Sequence, residues 1–248
     1  MSIDRYRRQT LVNEFGEKGQ ELLARKHAII IGGGGLGSHS ANLLTRIGIG
    51  SIDIIDDDIV DITNLHRTSV FSEHDIGKSK ALILQEKLRD VNTKVRINGI
   101  NQKVTLENIW SLVRNADVII DGTDSISLRL LINDVSIRHN LPWVYSGVNE
   151  TVGMVMGILP KNTSCFQCII NDIPKPGIQE IPVFGSLPAT IAAIQCNEAI
   201  KLLLGKQPAG LLIYDVWNQC FDIMDIKRNP YCPACGIKKI DSEKKSRL

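Results

Sequence analysis

The sequence predicts an α/β fold built on a mostly parallel sheet with helices on both faces. Short apolar runs of strand length alternate with longer amphipathic runs of helix length between residues 27 and 146. This alternation is typical of parallel sheets, whose strands are joined by crossover helices. A run of glycines after the first strand and two distant Cys-x-x-Cys pairs add a nucleotide loop and a metal clamp to the prediction.

Each element follows from its own local pattern. Short apolar runs predict parallel strands at His27–Ile31, Ser51–Asp56, Val95–Ile100, Asp117–Asp121 and Pro142–Ser146. The runs between them predict helices at Leu36–Ile47, Gly77–Asp90, Leu106–Arg114 and Ser125–Asn140, with a polar connection at Asp61–Asp75. The first 26 residues predict a helical arm that breaks near Gly16.

The pattern changes after Gly147. Val152–Leu159 is strand-like, and the proline- and glycine-rich run Asn171–Gly185 predicts an ordered loop without a helix. A long apolar helix follows at Ser186–Leu204. Two short runs, at Leu211–Asp215 and Cys220–Ile226, predict antiparallel strands that extend the sheet.

Composition limits the possible functions. A net charge of +2 implies no strong field for nucleic acid. No apolar run approaches the roughly 18 residues of a membrane helix, and the charged start lacks a signal-peptide core. We therefore expect a cytoplasmic protein that binds neither nucleic acid nor membrane. Six cysteines in that compartment indicate metal ligands or reactive thiols rather than disulfides.

The glycine run matches the G-x-G-x-x-G pattern of nucleotide-binding loops. Gly32, Gly34 and Gly37 occupy its three positions between a predicted strand and a predicted helix. Glycine lets the backbone approach phosphates, and a helix N-terminus favours negative charge. Asp56 follows about 20 residues later, where a carboxylate can accept the ribose hydroxyls of a nucleotide. The pattern predicts a Rossmann-like nucleotide site, and the alternative is a tight turn without a ligand.

Two cations argue against a dinucleotide enzyme. Arg67 and Lys80 follow the second predicted strand. An enzyme that cleaves a triphosphate needs such cations, because negative charge moves onto the departing pyrophosphate. The alternative is that both are solvated surface residues. Asp124, just past the fourth strand, is a candidate Mg²⁺ ligand or, alternatively, the N-cap of the next helix.

The cysteine pairs predict a structural zinc site. Cys165 and Cys168 form one pair, and Cys232 and Cys235 form the other. Four thiolates complete a tetrahedral zinc shell and leave no open position for chemistry. The alternative is a pair of redox dithiols, but the βαβ context of a redox motif is missing.

In this order the motifs resemble those of the ThiF/MoeB/HesA adenylyltransferases, relatives of ubiquitin-activating enzymes. The resemblance runs from about Asp4 to Cys235. Its motifs are Arg5-Tyr6-x-Arg8-Gln9, the glycine loop, Asp56, Thr63-Asn64-Leu65-x-Arg67, Lys80, Asp121-x-Thr123-Asp124 and the two Cys-x-x-Cys pairs.

The resemblance implies Mg·ATP and a ubiquitin-like sulfur-carrier protein as substrates. The carrier's terminal Gly-Gly carboxylate would attack the α-phosphate and form an acyl-adenylate. The implied catalytic residues are Arg8, Arg67, Lys80 and Asp124, with Asp124 on magnesium. The implied ATP-binding residues are Gly32, Gly34, Gly35, Gly37, Asp56, Asp58, Asn64, Arg67, Lys80, Asp124 and Ser125. Ser125 stands where many relatives have asparagine.

The resemblance also implies a homodimer in which Arg8 acts across the interface. It divides the chain into an arm (1–26), a nucleotide-binding part (27–146) and a zinc-clamped carrier-binding part (147–238), which together form one adenylation domain. The tail at 239–248 is expected to be disordered.

Some relatives carry a reactive cysteine in the loop before the long helix, but residues 171–185 contain none. A separate sulfur donor is therefore expected. Cys196 and Cys220 are both predicted to be buried packing residues.

Three other functions remain open. The scaffold could adenylate the C-terminus of a peptide, as in peptide-antibiotic pathways. A glycine loop alone also fits an NAD-dependent oxidoreductase, although no His or Tyr constellation for hydride transfer is evident. A non-catalytic scaffold would fit if the matched positions had lost their roles.

Overall fold

The computed structural model describes residues 3–170 and 181–237, and every structural statement below concerns those residues. The strands are β1 (His27–Ile31), β2 (Ser51–Ile55), β3 (Arg96–Ile100), β4 (Val118–Asp121), β5 (Trp143–Asn149), β6 (Val152–Ile158), β7 (Leu211–Asp215) and β8 (Cys220–Met224). The α-helices are α1 (Arg7–Thr10), α2 (Gly16–Leu23), α3 (Gly35–Ile47), α4 (Lys80–Val91), α5 (Ile109–Val113), α6 (Ile126–His139), α7 (Phe166–Ile169) and α8 (Leu187–Leu203). Short 3-10 helices span Ile3–Tyr6, Ile62–Arg67 and Glu73–Asp75.

All eight strands belong to one sheet with the order β3-β2-β1-β4-β5-β6-β7-β8. The pairs from β3 to β5 are parallel, and the pairs from β5 to β8 are antiparallel. The predicted Rossmann-like sheet with an antiparallel extension is therefore confirmed.

The central parallel strands β1 and β4 are buried on both faces, as is usual for parallel sheets. In β1, Ala28 and Ile30 pack into the core under α3, α4 and α8. Ile29 and Ile31 face the other core, which α5, α6 and α7 cover. Successive strand residues point to opposite faces, so the uninterrupted apolar run of β1 supplies both cores.

Helix boundaries differ from the prediction where the backbone turns. The predicted helix from Gly77 begins only at Lys80, because Gly77 has a left-handed φ of +82° and Ser79 forms a β-bridge with Ile59. The helix predicted from Leu106 begins at Ile109, because the Asn108 side chain accepts the Thr105 N–H in a preceding turn.

Other differences concern short elements. The polar connection at 61–75 contains two 3-10 helices, capped by Asp61 and Ser72. The helix α7 after Cys165 was not predicted. Most of the predicted loop, residues 171–180, and the charged tail lie outside the described residues. None of the described helices combines the length and apolar character needed to cross a membrane.

The loops after β1 and β4 touch through backbone atoms. A Cβ on Gly37 would lie 1.8 Å from the Gly32 carbonyl oxygen, and a Cβ on Gly122 would lie 2.2 Å from the same atom. Real side chains cannot occupy such positions. Gly32 has φ +92°, which favours glycine. Gly32 and Gly122 are therefore required for the two loops to meet, and Gly37 is required for the start of α3 to pack against Gly32.

Gly37→Ala should destabilise the fold, because the new methyl group would clash with the Gly32 carbonyl and force the start of α3 away from the glycine loop. We expect a loss of about 3 kcal/mol in the free energy of unfolding, seen as a fall in Tm of roughly 6–12 °C. Gly34→Ala is the matched control: Gly34 has φ −76° and open space around a Cβ. A Gly37→Ala protein as stable as the Gly34→Ala protein would contradict the argument.

Candidate active site

A crevice forms where the strand order of the sheet reverses. β2 pairs with one edge of β1 and β4 with the other, and the helices that follow β1 and β4, α3 and α6, pack on opposite faces. Ligands of open α/β sheets bind at such a point, beyond the carboxyl ends of the strands. The glycine loop and the loop after Asp121 meet at this edge.

The glycine loop leads directly into α3, a helix of 13 residues. Gly34 faces open space, and a Cβ on Gly35 would lie 3.5 Å from the aliphatic carbons of Arg67. No side chain caps the first turn of α3. Its N–H groups and the positive end of the helix dipole can therefore bind an anion.

Asp56 lies against the glycine loop at the end of β2. Its Oδ2 accepts the Gly33 N–H at 2.6 Å, and its Oδ1 accepts the Asp58 N–H at 2.7 Å. Burial raises the pKa of the Asp56 carboxyl, and these two N–H groups oppose that shift. Each carboxylate oxygen has a second lone-pair direction, so the group can also accept hydroxyls from a ligand.

Lys80 is buried at the start of α4, with 8% of its surface exposed. Its Nζ lies 3.0 Å from Asp58 Oδ2. The alternative of a solvated surface lysine is therefore wrong. An ammonium group carries three donors, so Lys80 can hold Asp58 and still donate to a phosphate oxygen.

Asn64 and Arg67 lie on one 3-10 helix, Ile62–Arg67. Asn64 Oδ1 accepts the Asp61 N–H at 3.2 Å, which fixes the first turn. Arg67 donates from Nη1 to the Thr63 carbonyl at 2.7 Å, and its aliphatic carbons lie beside Gly35. The structure thus brings the Arg67 side chain to the glycine loop. Most of the N–H donors of its guanidinium have no acceptor among the described residues.

Asp124 does not cap α6. Ser125 does: its Oγ accepts the Leu128 N–H at 3.3 Å, and it also contacts Ser127 Oγ at 2.9 Å. The Asp124 side chain is exposed, and no hydrogen bond to it occurs within the described residues. The alternative role of Asp124 as the N-cap is therefore wrong, and its carboxylate can bind a cation.

A buried polar network supports the loop that carries Asp124, and it was not predicted from the sequence. Arg129 donates to Asp121 Oδ2 at 2.9 Å and to the carbonyls of Thr123 and Ser146 at 2.5 and 2.9 Å. Gln195 of α8 donates to the Asp121 carbonyl at 2.7 Å. Burial raises the pKa of Asp121, and the Arg129 guanidinium opposes that shift.

The sequence did contain a signal for this network. Arg129 lies on the same helical stripe as Ile132, Asn133 and Ser136, all of which are buried. An arginine on a buried stripe requires a buried partner, and Asp121 is the nearest preceding acid on a strand.

Arg8 lies far from the glycine loop of its own chain. Its neighbours Tyr6 and Gln9 lie at the C-terminal end of α3. Gln9 donates to the Ile47 carbonyl of that helix at 3.1 Å, and Tyr6 accepts at 2.7 Å from Asn92, which follows α4. The glycine loop lies at the other end of α3, about 20 Å away for a helix of this length. The exposed Arg8 is therefore not brought to this crevice.

The four predicted metal ligands form one cluster, with all four sulfurs within 4.8 Å of one another. Cys165 Sγ lies 3.9 Å from Cys168 Sγ and 3.6 Å from Cys232 Sγ, and the Sγ atoms of Cys168 and Cys235 lie 3.5 Å apart. The Asn133 side chain donates to Cys165 Sγ at 3.7 Å. This cluster could hold a tetrahedral ion.

The two remaining cysteines differ. Cys196 is buried in α8, as predicted, and burial raises the pKa of its thiol to about 12. Cys220, in contrast, is exposed at the start of β8. The predicted burial of Cys220 is wrong, because all five residues of β8 are exposed.

The chain resembles known proteins along nearly its whole length. It matches the ThiF family over residues 6–234. It is 34% identical to the sulfur carrier protein adenylyltransferase of Thermus thermophilus, over 97% of this chain and 93% of that protein. It is 33% identical to the sulfur carrier protein ThiS adenylyltransferase of Bacillus subtilis, over 94% of this chain and 72% of that protein. A crystal structure of Escherichia coli MccB with MccA-N7isoASN shares the fold, with a TM-score of 0.85 at 24% identity over 94% of this chain and 75% of that one.

Removal of one cysteine of the cluster should release its metal. We expect the purified protein to carry about one ion per chain and Cys168→Ser to carry nearly none, because three thiolates bind less tightly than four. Elemental analysis measures this ratio, and a fall in Tm should accompany the loss. Cys220→Ser, outside the cluster, should keep both values. Full metal content in Cys168→Ser would refute the site.

Proposed function

The chain belongs to the ThiF family, and we propose from this premise that it is an ATP-dependent adenylyltransferase for a sulfur-carrier protein. The substrate would be the C-terminal Gly-Gly carboxylate of a ubiquitin-like carrier. The observation that carries the proposal is the crevice, in which an anion-binding helix N-terminus, Asp56, Arg67 and Lys80 converge. Relatives that match this chain over most of their length are named for the same activity.

The proposed reaction is an in-line displacement at the α-phosphate of ATP. A carrier carboxylate oxygen forms a bond to that phosphorus, and the bond between the phosphorus and the α,β-bridging oxygen breaks, so pyrophosphate leaves with the electron pair. The carboxylate is ionised at neutral pH, so no general base is needed. Catalysis then rests on positioning and on neutralisation of the phosphates.

The residues of the crevice divide this work. Gly32, Gly34, Gly35 and Gly37 form a loop whose open side would receive the phosphates. The carboxylate of Asp56, already fixed by two N–H groups, would accept the ribose hydroxyls. Arg67 and Lys80 would neutralise the phosphates, and Asp58 would keep Lys80 in place.

The side chains of Asn64 and Ser125 contribute mainly by fixing the backbone near the crevice. The Asn64 side-chain oxygen is used in the turn that presents Arg67, which leaves its amide group for a phosphate. Ser125 caps α6, and this cap leaves the adjacent Asp124 carboxylate available.

Asp124 fits a magnesium site because it is an exposed carboxylate without a hydrogen-bond partner among the described residues. Mg²⁺ prefers such oxygen ligands and keeps several waters. When bound, it would lower the charge of the triphosphate.

We propose zinc for the cysteine cluster. Zn–S bonds of about 2.3 Å in a tetrahedron place sulfurs about 3.8 Å apart; three of the sulfur pairs lie 3.5 to 3.9 Å apart, and all four sulfurs lie within 4.8 Å of one another. Four thiolates complete the shell, so the ion would be structural. It would tie the segment after β8 to the helix α7.

The carrier would dock on the antiparallel side of the sheet. Trp217, Phe221 and Ile223 are exposed there, and Trp217 stacks edge-on against exposed Phe184. An apolar surface of this kind, next to a polar crevice, suits a folded partner whose tail enters the site. We further propose a cytoplasmic location. We also propose a separate sulfur donor, since residues 171–185 contain no cysteine.

A peptide C-terminus is the second candidate substrate. The MccB structure with MccA-N7isoASN has the same fold, but its sequence similarity is lower than that of the carrier relatives. An exchange assay that includes both a carrier and short peptides separates the two substrates, and titration with NADH tests the oxidoreductase alternative.

Arg67→Ala and Asp124→Ala should abolish ATP–pyrophosphate exchange. Arg67→Ala removes a positive charge that neutralises the triphosphate, and Asp124→Ala removes the carboxylate proposed to hold Mg²⁺, so we expect losses of at least about 100-fold with the fold intact. Exchange is measured with a Gly-Gly-ending carrier. Arg138→Ala and Asp134→Ala, the same charge changes on exposed positions further along α6, are the matched controls. Exchange at the wild-type level in either crevice variant would contradict its assigned role.

Arg8 should act in a partner's site, since it lies at the far end of α3 from its own. We propose a homodimer on this ground. Arg8→Ala and Asp124→Ala should each be inactive alone. When the two variants are mixed in equal amounts after reversible dissociation, exchange should recover to about a quarter of the wild-type level. About half of the dimers then pair the two variants, and each such dimer has one complete site of two. No recovery, or a monomer by light scattering, would overturn the shared site.

A further inference from the structure

We propose that His39 is a positioning residue that holds Arg67 in register with the glycine loop, an inference that rests on the proposed function. His39 lies on α3, one turn after Gly35. It is the side chain through which the helix that begins at the nucleotide loop reaches the backbone of the arginine.

Both ring nitrogens of His39 have partners on the Arg67 segment. Nε2 lies 3.2 Å from the Arg67 carbonyl oxygen, and Nδ1 lies 3.1 Å from Ser69 Oγ. A carbonyl only accepts, so Nε2 carries the hydrogen, and Nδ1 accepts from the serine hydroxyl. The imidazole thus bridges two residues that flank the end of the 3-10 helix.

The surroundings keep this imidazole neutral. His39 is half-buried, and burial lowers its pKa, against the opposing effect of the Arg67 carbonyl. A neutral ring keeps Nδ1 as the acceptor for Ser69. The bridge therefore has one fixed arrangement of hydrogens.

The bridge acts at the point where the arginine needs support. Arg67 is the last residue of its 3-10 helix, and Thr68 is already extended. Carbonyls at helix ends lack partners within the helix. His39 supplies the partner and fixes the Arg67 backbone, while the side chain stays free to exchange the Thr63 carbonyl for a phosphate.

This arrangement links two phosphate-binding groups to one rigid element. The N-terminus of α3 carries the glycine loop, and His39 on the same helix fixes the backbone of Arg67, whose aliphatic carbons lie beside Gly35. An error of about 1 Å in such a group can cost on the order of 100-fold in rate. The contribution of His39 should therefore appear in the rate rather than in the fold.

The test compares His39→Ala with His39→Gln. The glutamine amide reaches as far as Nε2 and keeps a donor for the Arg67 carbonyl, whereas alanine removes it. The control is Asn42→Ala. Asn42 lies on the next turn of α3, and Arg46 is its only side-chain hydrogen-bond partner among the described residues. Exchange at saturating ATP, the KM for ATP and Tm are measured for each, and the affinity for Mg·ATP is measured by calorimetry.

We expect His39→Ala to lower the saturated exchange rate about 10- to 100-fold, with a smaller change in KM and with Tm close to that of the control. His39→Gln should restore most of the rate. In an Arg67→Lys background, the same His39→Ala change should lower the exchange rate and the Mg·ATP affinity by less than about twofold. The effects of two residues that act through one another are not additive, so little is left for His39 to contribute once the guanidinium is gone.

The inference would be overturned if His39→Ala lowered the exchange rate equally in the wild-type and Arg67→Lys backgrounds. It would also be overturned if His39→Gln were as impaired as His39→Ala. A wild-type chain that binds Mg·ATP without any exchange would refute the proposed reaction, and the affinity cycle would then decide the role of His39. A wild-type chain that does neither would overturn both.

Discussion

The crevice depends on the contact between two backbone loops. Gly32 and Gly122 let the loops after β1 and β4 touch, since a Cβ on Gly32 would lie 2.6 Å from the Gly122 carbonyl oxygen and a Cβ on Gly122 would lie 2.2 Å from that of Gly32. This contact puts the start of α3 beside the end of β4. The helix terminus proposed to bind phosphates and the Asp124 carboxylate proposed to bind magnesium therefore lie on loops that meet, and every residue proposed to contact ATP is positioned relative to that junction.

The β4 side of the crevice is fixed by a buried ion pair rather than by the loop itself. Arg129 and Asp121 are both buried, and each also bonds backbone groups or Gln195. Breaking such a pair leaves an uncompensated charge in the interior, which is strongly destabilising. The network thereby joins α6, α8, β4 and β5 and leaves Asp124 exposed on a rigid support.

The other end of the molecule is held by different chemistry. The cysteine cluster lies against the core that contains Trp143 and Phe166, and it joins α7 to the segment after β8. The strand β8 is itself exposed at all five positions and contributes little apolar burial. A metal clamp would suit this part of the chain, because the antiparallel extension leaves apolar side chains such as Trp217 and Phe221 exposed instead of burying them.

The sequence by itself determined the strands and helices of a mostly parallel sheet, the glycine loop and the four cysteines, because these depend on local patterns: apolar runs, backbone freedom and ligand spacing. It placed Asp56, Arg67, Lys80 and Asp124 near one another only through motif order. Tertiary structure alone decided that Cys220 is exposed and that Arg8 lies away from its own site. It also brought His39 to Arg67 and Gln195 to Asp121. Such contacts join residues far apart in the chain, and no local pattern specifies which side chains the packed sheet and helices will place within hydrogen-bond distance.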